Sequence, residues 1–329
     1  MERVLVLGSN SFGASSLIDD LLTMGIKVLG ISRSNLKDSN FLKYLTNKNQ
    51  INFQFYKLNI SHDIDELILK IQEFMPQIII DFAGQGMVAE SWEDPALWYQ
   101  TNILSKVHLF QYLTNNSSLE KYIKISTPEV YGSSTHPIKV GAMFNPSTPY
   151  ALSHSTIDQH LSLLFMQNGF PVVTGRFANF YGSGQQLYRI IPKTFMKFLK
   201  GEKLELHGGG ASRRSFIHVT DVSSGILGMI SNGELGNIYH FSTPESLTIK
   251  ALVSKIAILS GADSIDLIEE APDRLGKDAD YQIDYSNSMS QLDWVPSISL
   301  DSGLEDVQSW VTKNFEFFSR LSLEYFHVE

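Results

Sequence analysis

The chain contains no cysteine. That excludes disulfides, thiolate-bound metals and a cysteine nucleophile, and it fits a reducing compartment. Positive charge is also scarce: 26 Lys and Arg stand against 35 Asp and Glu, a net charge of −9. Nothing offers the basic footprint of a nucleic-acid binder, so an anionic ligand must be held by a few local cations and by backbone N–H groups. No apolar run is long enough to span a bilayer. The first residues enter a strand at once, so a signal peptide is not expected and a cytoplasmic location is. Internal repeats, low-complexity tracts and long charge runs are missing too. Histidines at 62, 108, 136, 160, 218, 240 and 327 show no metal-ligand spacing, so no metal centre is expected. What is present is ordinary for a globular chain: 43% hydrophobic and 19% charged residues, with 329 residues suggesting about two domains.

Over the first half, apolar runs alternate with helical patterns. Residues 3–7 (RVLVL), 27–31, 77–82 (QIIIDF), 122–126 and 171–174 read as buried strands, and 51–59 as a strand with Ile51, Phe53 and Phe55 on one face. Helical patterns place Leu17, Ile18, Leu21 and Leu22 on one face before Gly25, and recur over 64–74, 95–113 and 150–168. Asp94 is positioned as an N-cap, with Pro95 in the first turn. Strands apolar throughout, alternating with helices, argue for an α/β fold: a Rossmann-type doubly wound parallel sheet covered on both faces, over about 1–180. After residue 180 come Gly-rich loops, short strands (203–206, 216–219, 237–241, 281–284) and helices near 188–200, 220–231, 248–260 and 301–315. This predicts a smaller mixed α/β lobe over 181–329, with about 215–245 returning to the sheet.

Gly8 lies between a strand and a helix, and a second strand follows, which is the setting of a dinucleotide-binding loop. There glycines let the backbone approach a pyrophosphate whose charge the helix N-terminus favours. The motif is imperfect. Ser11 and Ala14 stand where the second and third glycines belong, Gly13 is out of phase, and Phe12 lies between them. The second strand ends in Ile31-Ser32-Arg33-Ser34. An acidic side chain there would suit a free ribose 2′-hydroxyl and an Arg a 2′-phosphate. Ser32 and Arg33 therefore favour NADP, with NAD as the alternative.

Lys124 to Gly132 (KISTPEVYG) reads as a strand running into a polar turn, and Asn145 to His154 as a proline-terminated loop opening a helix at Tyr150. Together they predict a hydroxyl, a carboxylate and a phenol at the carboxyl edge of the sheet, where open α/β sheets bind ligands.

Six segments in order carry a resemblance: AGQGMVAESWEDP (83–95), STPEVYG (126–132), TPYA (148–151), RFANFYGSGQQ (176–186), LHGGGASRRSFIHVTD (206–221) and DRLGKDADYQID (273–284). Nearly the whole chain resembles the extended short-chain dehydrogenase/reductases that modify nucleotide-sugars. It is most similar to the 4,6-dehydratases acting on GDP-mannose and dTDP-glucose. The resemblance implies that Gly8, Ser11, Phe12 and Ala14 line the pyrophosphate. It puts Asn59 and Ile60 beside the adenine, Ala83 and Gly84 along a tightly bound, recycled cofactor, and Asn102 in the helix behind it. Thr127 would hydrogen-bond the sugar 4-oxygen, Glu129 would act as base and acid at carbons 5 and 6, and Tyr150 would take the 4-hydroxyl proton. Gln85, Ser91, Asn179, Arg189, His207, Arg214 and Arg274 fall among the substrate contacts. A homodimer is implied, paired through the helices opened at Pro95 and Tyr150.

Two departures bear on activity. The family pattern is Tyr-x-x-x-Lys, but position 154 is His. The family lysine binds the nicotinamide ribose and lowers the tyrosine pKa; an imidazole one turn on from Tyr150 brings charge only when protonated, which predicts modest turnover or an unusual pH profile. Pro128 stands where the dTDP-glucose enzymes carry an Asp general acid, so Glu129 must serve both steps of a dehydration. The rival readings are a 4-epimerase, needing only Thr127 and Tyr150, a nucleotide-glucuronate decarboxylase, and a nucleotide-sugar or NADP binding protein without turnover.

Overall fold

The computed structural model describes residues 1–115, 119–261, 267–272 and 280–326. Six strands appear in chain order: β1 (Arg3–Leu7), β2 (Lys27–Ser32), β3 (Phe53–Lys57), β4 (Ile78–Asp81), β5 (Lys121–Ser126) and β6 (Val172–Phe177). With the later strand Ile238–Phe241 they form one seven-stranded parallel sheet. Its spatial order is Ile238–Phe241, β6, β5, β4, β1, β2, β3. The order reverses at β1, so the crevice for a ligand opens at the carboxyl ends of β1 and β4.

Both sheet faces are buried because successive side chains point to opposite sides. Val4, Val6, Ile78, Ile80 and Ile123 pack with helices Phe12–Thr23 and Val219–Asn232. Leu5, Leu7, Ile79 and Tyr122 pack on the other side with helices Ile64–Phe74, Ser105–Leu113 and Pro149–Asn168. This explains why strands of continuous apolar sequence, not alternating ones, build this sheet.

The helical stretch that opens at Pro95 behaves as its sequence requires at the start, where Asp94 Oδ1 accepts the Leu97 N–H at 3.3 Å. It is not uniform, however. Pro95–Tyr99 is α-helical, Gln100–Leu104 is a π-turn, and Ser105–Leu113 is α-helical again. The π-turn carries Asn102. Such bulges occur often at functional sites.

Two short-range expectations are corrected. Ile51 does not share a face with Phe53 and Phe55; it sits in the 3₁₀ turn Gln50–Asn52 and is 93% exposed. β3 begins only at Phe53, which packs against the buried Tyr44 at a ring separation of 4.6 Å. Residues 281–284 form no strand. Isolated bridges join Ile138 to Ile283 and Arg213 to Asp280, so this segment is held by single contacts.

A second core lies beyond the sheet. Helices Ile190–Leu199, Ile249–Ser260 and Leu300–Lys313 close over strand Leu204–His207, which pairs with Ile268–Ala271. Among the described residues no helix is long and apolar enough to cross a membrane.

Candidate active site

A cleft of about 1800 Å³ runs from the carboxyl ends of β1 and β2, past β4 and β5, to the second core. Its cofactor end is built on Gly8. The residue has φ +77°, and a Cβ there would stand 2.8 Å from Ala83 N. Glycine alone therefore lets the chain turn against β4. The Gly8 and Ser9 N–H groups both donate to Ile31 O, at 2.8 and 3.1 Å. Ser11 caps helix Phe12–Thr23 by accepting the Ala14 N–H at 3.4 Å. Gly13, out of phase with the motif, is needed for packing: a Cβ would lie 2.8 Å from the Phe180 ring and 2.9 Å from Phe82. Gly8, Ser11 and Phe12 line the cleft, whereas Ala14 is fully buried beneath the loop. A turn that begins on a glycine and leads straight into a helix N-terminus suits a dinucleotide pyrophosphate.

Beyond the turn, Ser32 Oγ accepts the Asn10 N–H at 2.9 Å. The Asn10 amide donates to Ser34 O and Asn35 O at 3.0 and 2.8 Å, and Lys37 Nζ donates to Asn10 O at 3.1 Å. Arg33 is exposed beside them, and burial together with the Arg33 charge lowers the Lys37 pKa. The end of β2 thus offers a hydroxyl and two cations. Across the cleft, Asn59 Oδ1 accepts the Ser61 N–H at 2.9 Å, so its side chain is spent on its own turn while Asn59 and Ile60 still form the wall. Ala83 and Gly84 follow β4 along the same wall.

The chemistry-bearing groups meet where β5 ends. Thr127 Oγ1 accepts the Glu129 N–H at 3.2 Å and starts the turn Pro128–Tyr131. Thr148 caps helix Pro149–Asn168 by accepting the Ala151 N–H at 3.1 Å, which presents Tyr150 in the first turn. The Thr127 side chain faces the Tyr150 phenol. Burial, and next the neighbouring Glu129 charge, push the Tyr150 phenol above the usual tyrosine range; Thr127 and Arg189 pull the other way. Tyr281 Oη donates to Glu129 Oε1 at 3.5 Å and to Asn179 Oδ1 at 3.4 Å, and the Arg214 guanidinium lies 4.6 Å from the Tyr281 ring centre. Thr127, Glu129, Tyr150, Asn179 and Arg214 therefore share one end of the cleft.

His154 packs its ring on Tyr150 with 4.7 Å between centroids. Burial, and then the charges of Lys124, Lys106 and Arg176, hold its pKa well below the ordinary histidine value. The imidazole is therefore neutral at physiological pH, and the protonation-dependent charge considered from sequence is not available there. Its Nδ1 is buried without a hydrogen-bond partner among the described residues.

Several sequence candidates brace the site instead of lining it. Ser91 is fully buried; its hydroxyl donates to Val88 O at 2.6 Å and accepts the Tyr150 N–H at 3.2 Å. Asn102, also buried, accepts the Gln85 N–H at 2.8 Å and donates to Ser153 Oγ at 2.9 Å, tying the wall loop to the Tyr150 helix. Gln85 keeps a small surface on the cleft. Arg189 lines it at the start of helix Ile190–Leu199, and His207 lines it with Nδ1 3.0 Å from Pro272 O. Arg274 lies outside the described residues.

Sequence reasoning missed Tyr281, which no local pattern distinguishes. It also missed a buried charge cluster: Asp81 binds Lys106 and lies 3.8 Å from Lys124. Burial draws Lys106 down to about 8 against the pull of Asp81. A lysine within the apolar strand KYIKIS was the available signal.

A model of the NAD dependent epimerase/dehydratase family matches residues 4–241. The chain is 28% identical over 323 residues to the dTDP-D-glucose 4,6-dehydratase of Homo sapiens, covering 95% of this chain and 91% of that one. It is 26% identical over 332 residues to a trifunctional UDP-glucose 4,6-dehydratase, 3,5-epimerase and reductase of Arabidopsis thaliana, covering 98% of this chain but 49% of the plant protein. The chain thus spans about half the length of that trifunctional relative. Among solved structures it superposes on DesIV, a dTDP-glucose 4,6-dehydratase from Streptomyces venezuelae crystallised with NAD, with a TM-score of 0.89 and 25% identity over 96% of this chain and 98% of that one. The family match begins in β1, passes the glycine turn and the Thr127–Tyr150 pair, and ends with the last strand of the sheet: the chain belongs to the NAD dependent epimerase/dehydratase family.

Proposed function

We propose that this protein is an NAD(P)-dependent NDP-hexose 4,6-dehydratase that makes a 4-keto-6-deoxy sugar. The observation that carries the reading is Glu129, a carboxylate brought to the Thr127–Tyr150 pair. An epimerase needs the hydroxyl and phenol alone, whereas dehydration needs a group to move protons at carbons 5 and 6. The 4,6-dehydratase names of the relatives support the same choice.

The bound nicotinamide cofactor would accept the hydride of carbon 4 and return it to carbon 6. Thr127 holds the sugar 4-oxygen, and Tyr150 takes its proton. The ketone so formed acidifies the hydrogen on carbon 5, which Glu129 removes as general base. The same carboxyl, now protonated, gives its proton to the departing 6-hydroxyl, since Pro128 has none to give, which leaves a double bond between carbons 5 and 6. As the hydride returns to carbon 6, carbon 5 takes back a proton from solvent and the proton on Tyr150 is released to solvent, so the net change is loss of one water. Arg189 and Arg214, both on the cleft wall, supply positive charge for the substrate diphosphate. Helices Ser105–Leu113 and Pro149–Asn168 leave Leu104, Leu152, Leu163 and Met166 exposed at or along them, which supports a homodimer through this face.

The test is a mass assay with dTDP-glucose, UDP-glucose and GDP-mannose. Loss of one water is expected. A product of unchanged mass would replace this reading with epimerisation, loss of carbon dioxide from a glucuronate with decarboxylation, and binding without product with a non-catalytic role.

The hydroxyl and two cations at the end of β2 favour NADP. Arg33→Ala is expected to weaken NADP roughly ten- to a hundredfold while leaving NAD nearly unaffected, the worth of one charge-assisted hydrogen bond. Titration of both cofactors against both proteins checks this, and equal losses for the two would remove the preference.

A further inference from the structure

After helix Leu300–Lys313 the chain returns to the cleft. Phe317, Leu321, Ser322, Glu324, Tyr325 and Phe326 line the same cleft as the Gly8 turn and the end of β2.

This stretch has a buried base. The turn Phe315–Phe318 sets Phe318 in the second core, and the Phe318 and Phe41 rings stand 5.5 Å apart. Phe41 belongs to the loop that follows β2, and the Trp310 indole N–H donates to Asn40 O of that loop at 3.1 Å. Leu323 is buried in the second core as well. The tip is held differently. Lys193 Nζ, in the first turn of helix Ile190–Leu199, donates to Glu324 Oε1 at 2.7 Å. Tyr325 meets Tyr188 edge to face, with ring centroids 5.2 Å apart, and Tyr188 precedes Arg189 on the cleft wall. Residues 318–325 thus run from the loop at the cofactor end to the helix of the second core.

The two attachments differ in strength. Phe318 and Leu323 are held by apolar burial. The Glu324 side chain is 65% exposed, and an ion pair so open to water adds little stability. Phe326, beyond it, is 71% exposed. A tip fastened by an aromatic contact and a weak ion pair, on a firmly buried base, can lift without unfolding the rest.

We propose that residues 321–326 are a strap across the mouth of the cleft, latched by Glu324 on Lys193 and by Tyr325 on Tyr188, which lifts for a nicotinamide dinucleotide to enter or leave. The inference rests on the Gly8 end of the cleft taking the dinucleotide. It draws on the proposed function only for its purpose, which is to keep cofactor and keto sugar together between the two hydride transfers.

The absence of cysteine makes the strap easy to lock. In the full chain, Lys193→Cys and Glu324→Cys together are joined by a short, reducible thiol-to-thiol linker, whereas Tyr325→Ala with Glu324→Gln unlatches the tip. NADPH and NADH in turn are followed by stopped-flow fluorescence, as each binds and as its oxidised form displaces it. The unlatched protein is expected to bind and release about two- to tenfold faster, the weight of an aromatic pair. Its Kd should change less than about threefold, because a gate speeds entry and exit alike. The linked protein should do both roughly tenfold slower or more, since the open form is then rarely populated. Cutting the linker with a reductant should restore the rates, and single-cysteine proteins carrying the same reagent should not be slowed. Faster release with unchanged entry would make Tyr325 a contact and not a gate, and would overturn the inference. So would native rates in the unlatched protein, free exchange in the linked one, or no dinucleotide binding at all. A native protein that dehydrates no nucleotide-sugar would defeat the proposed function alone, because these rates are measured without substrate.

Discussion

Tyr150→Phe is expected to lower kcat by roughly 10³-fold, within the 10²–10⁴ range for a positioned general base, while cofactor binding and thermal midpoint stay near those of the native protein. The change removes one oxygen and leaves the ring against His154, whose contact is between ring faces and edges. The helix start is untouched, because Thr148 Oγ1 and Ser91 Oγ hold it through the Ala151 and Tyr150 backbone N–H groups. The direction of the native pH profile follows from the same geometry. Burial and Glu129 raise the phenol pKa, so the phenolate fraction and the rate both climb toward alkaline pH. In the Tyr150→Phe protein that rise should vanish along with the activity. Turnover within tenfold of native would mean that another group takes the proton.

Glu129→Gln is expected to reduce formation of the 4-keto-6-deoxy product by about 10²–10³-fold, again the weight of a general base and acid. Unlike the tyrosine variant, it should stop the reaction part-way. Thr127 and Tyr150 remain to support oxidation of carbon 4, for which a bound nicotinamide cofactor would take the hydride, so quenched single turnovers should contain a 4-keto sugar that has lost two hydrogens but no water. Glutamine keeps the oxygen that accepts from Tyr281 at 3.5 Å, and the turn Pro128–Tyr131 depends on Thr127 and the residue 129 backbone, not on the carboxylate. Removing the Glu129 charge should also let Tyr150 ionise more easily, so the first step should shift toward lower pH. Undiminished loss of water in this variant would rule out Glu129-driven dehydration and leave epimerisation, for which the carboxylate is idle.

The two variants divide what could be read from sequence from what could not. That Thr127, Glu129 and Tyr150 fall at one edge of the sheet was legible because each stands at a local boundary: a strand end, a turn, and a helix opening after a proline. Gly8 was legible as a turn, yet the reason Gly13 is also glycine lies in two aromatic rings, one of them from a residue far along the chain. Ser91 shows the limit from the other side. Its hydroxyl matched a pattern of substrate contacts, but the fold buries it and uses it to hold the Tyr150 backbone. Ile51 fitted an alternating strand, but at the edge of the sheet no partner layer covers it.

By itself the sequence determined the alternation of buried strands and covering helices, the turn at Gly8, the cap at Asp94 and the helix that opens at Tyr150. All of these follow from periodicity and from contacts a few residues apart. The tertiary structure alone decided the charge state of His154, the sharing of Asp81 between Lys106 and Lys124, and the bridge from Tyr281 to Glu129 and Asn179. Each depends on groups that are distant in the chain and on the water they lose when brought together, and a pKa is set by that summed environment, which no local stretch of residues encodes.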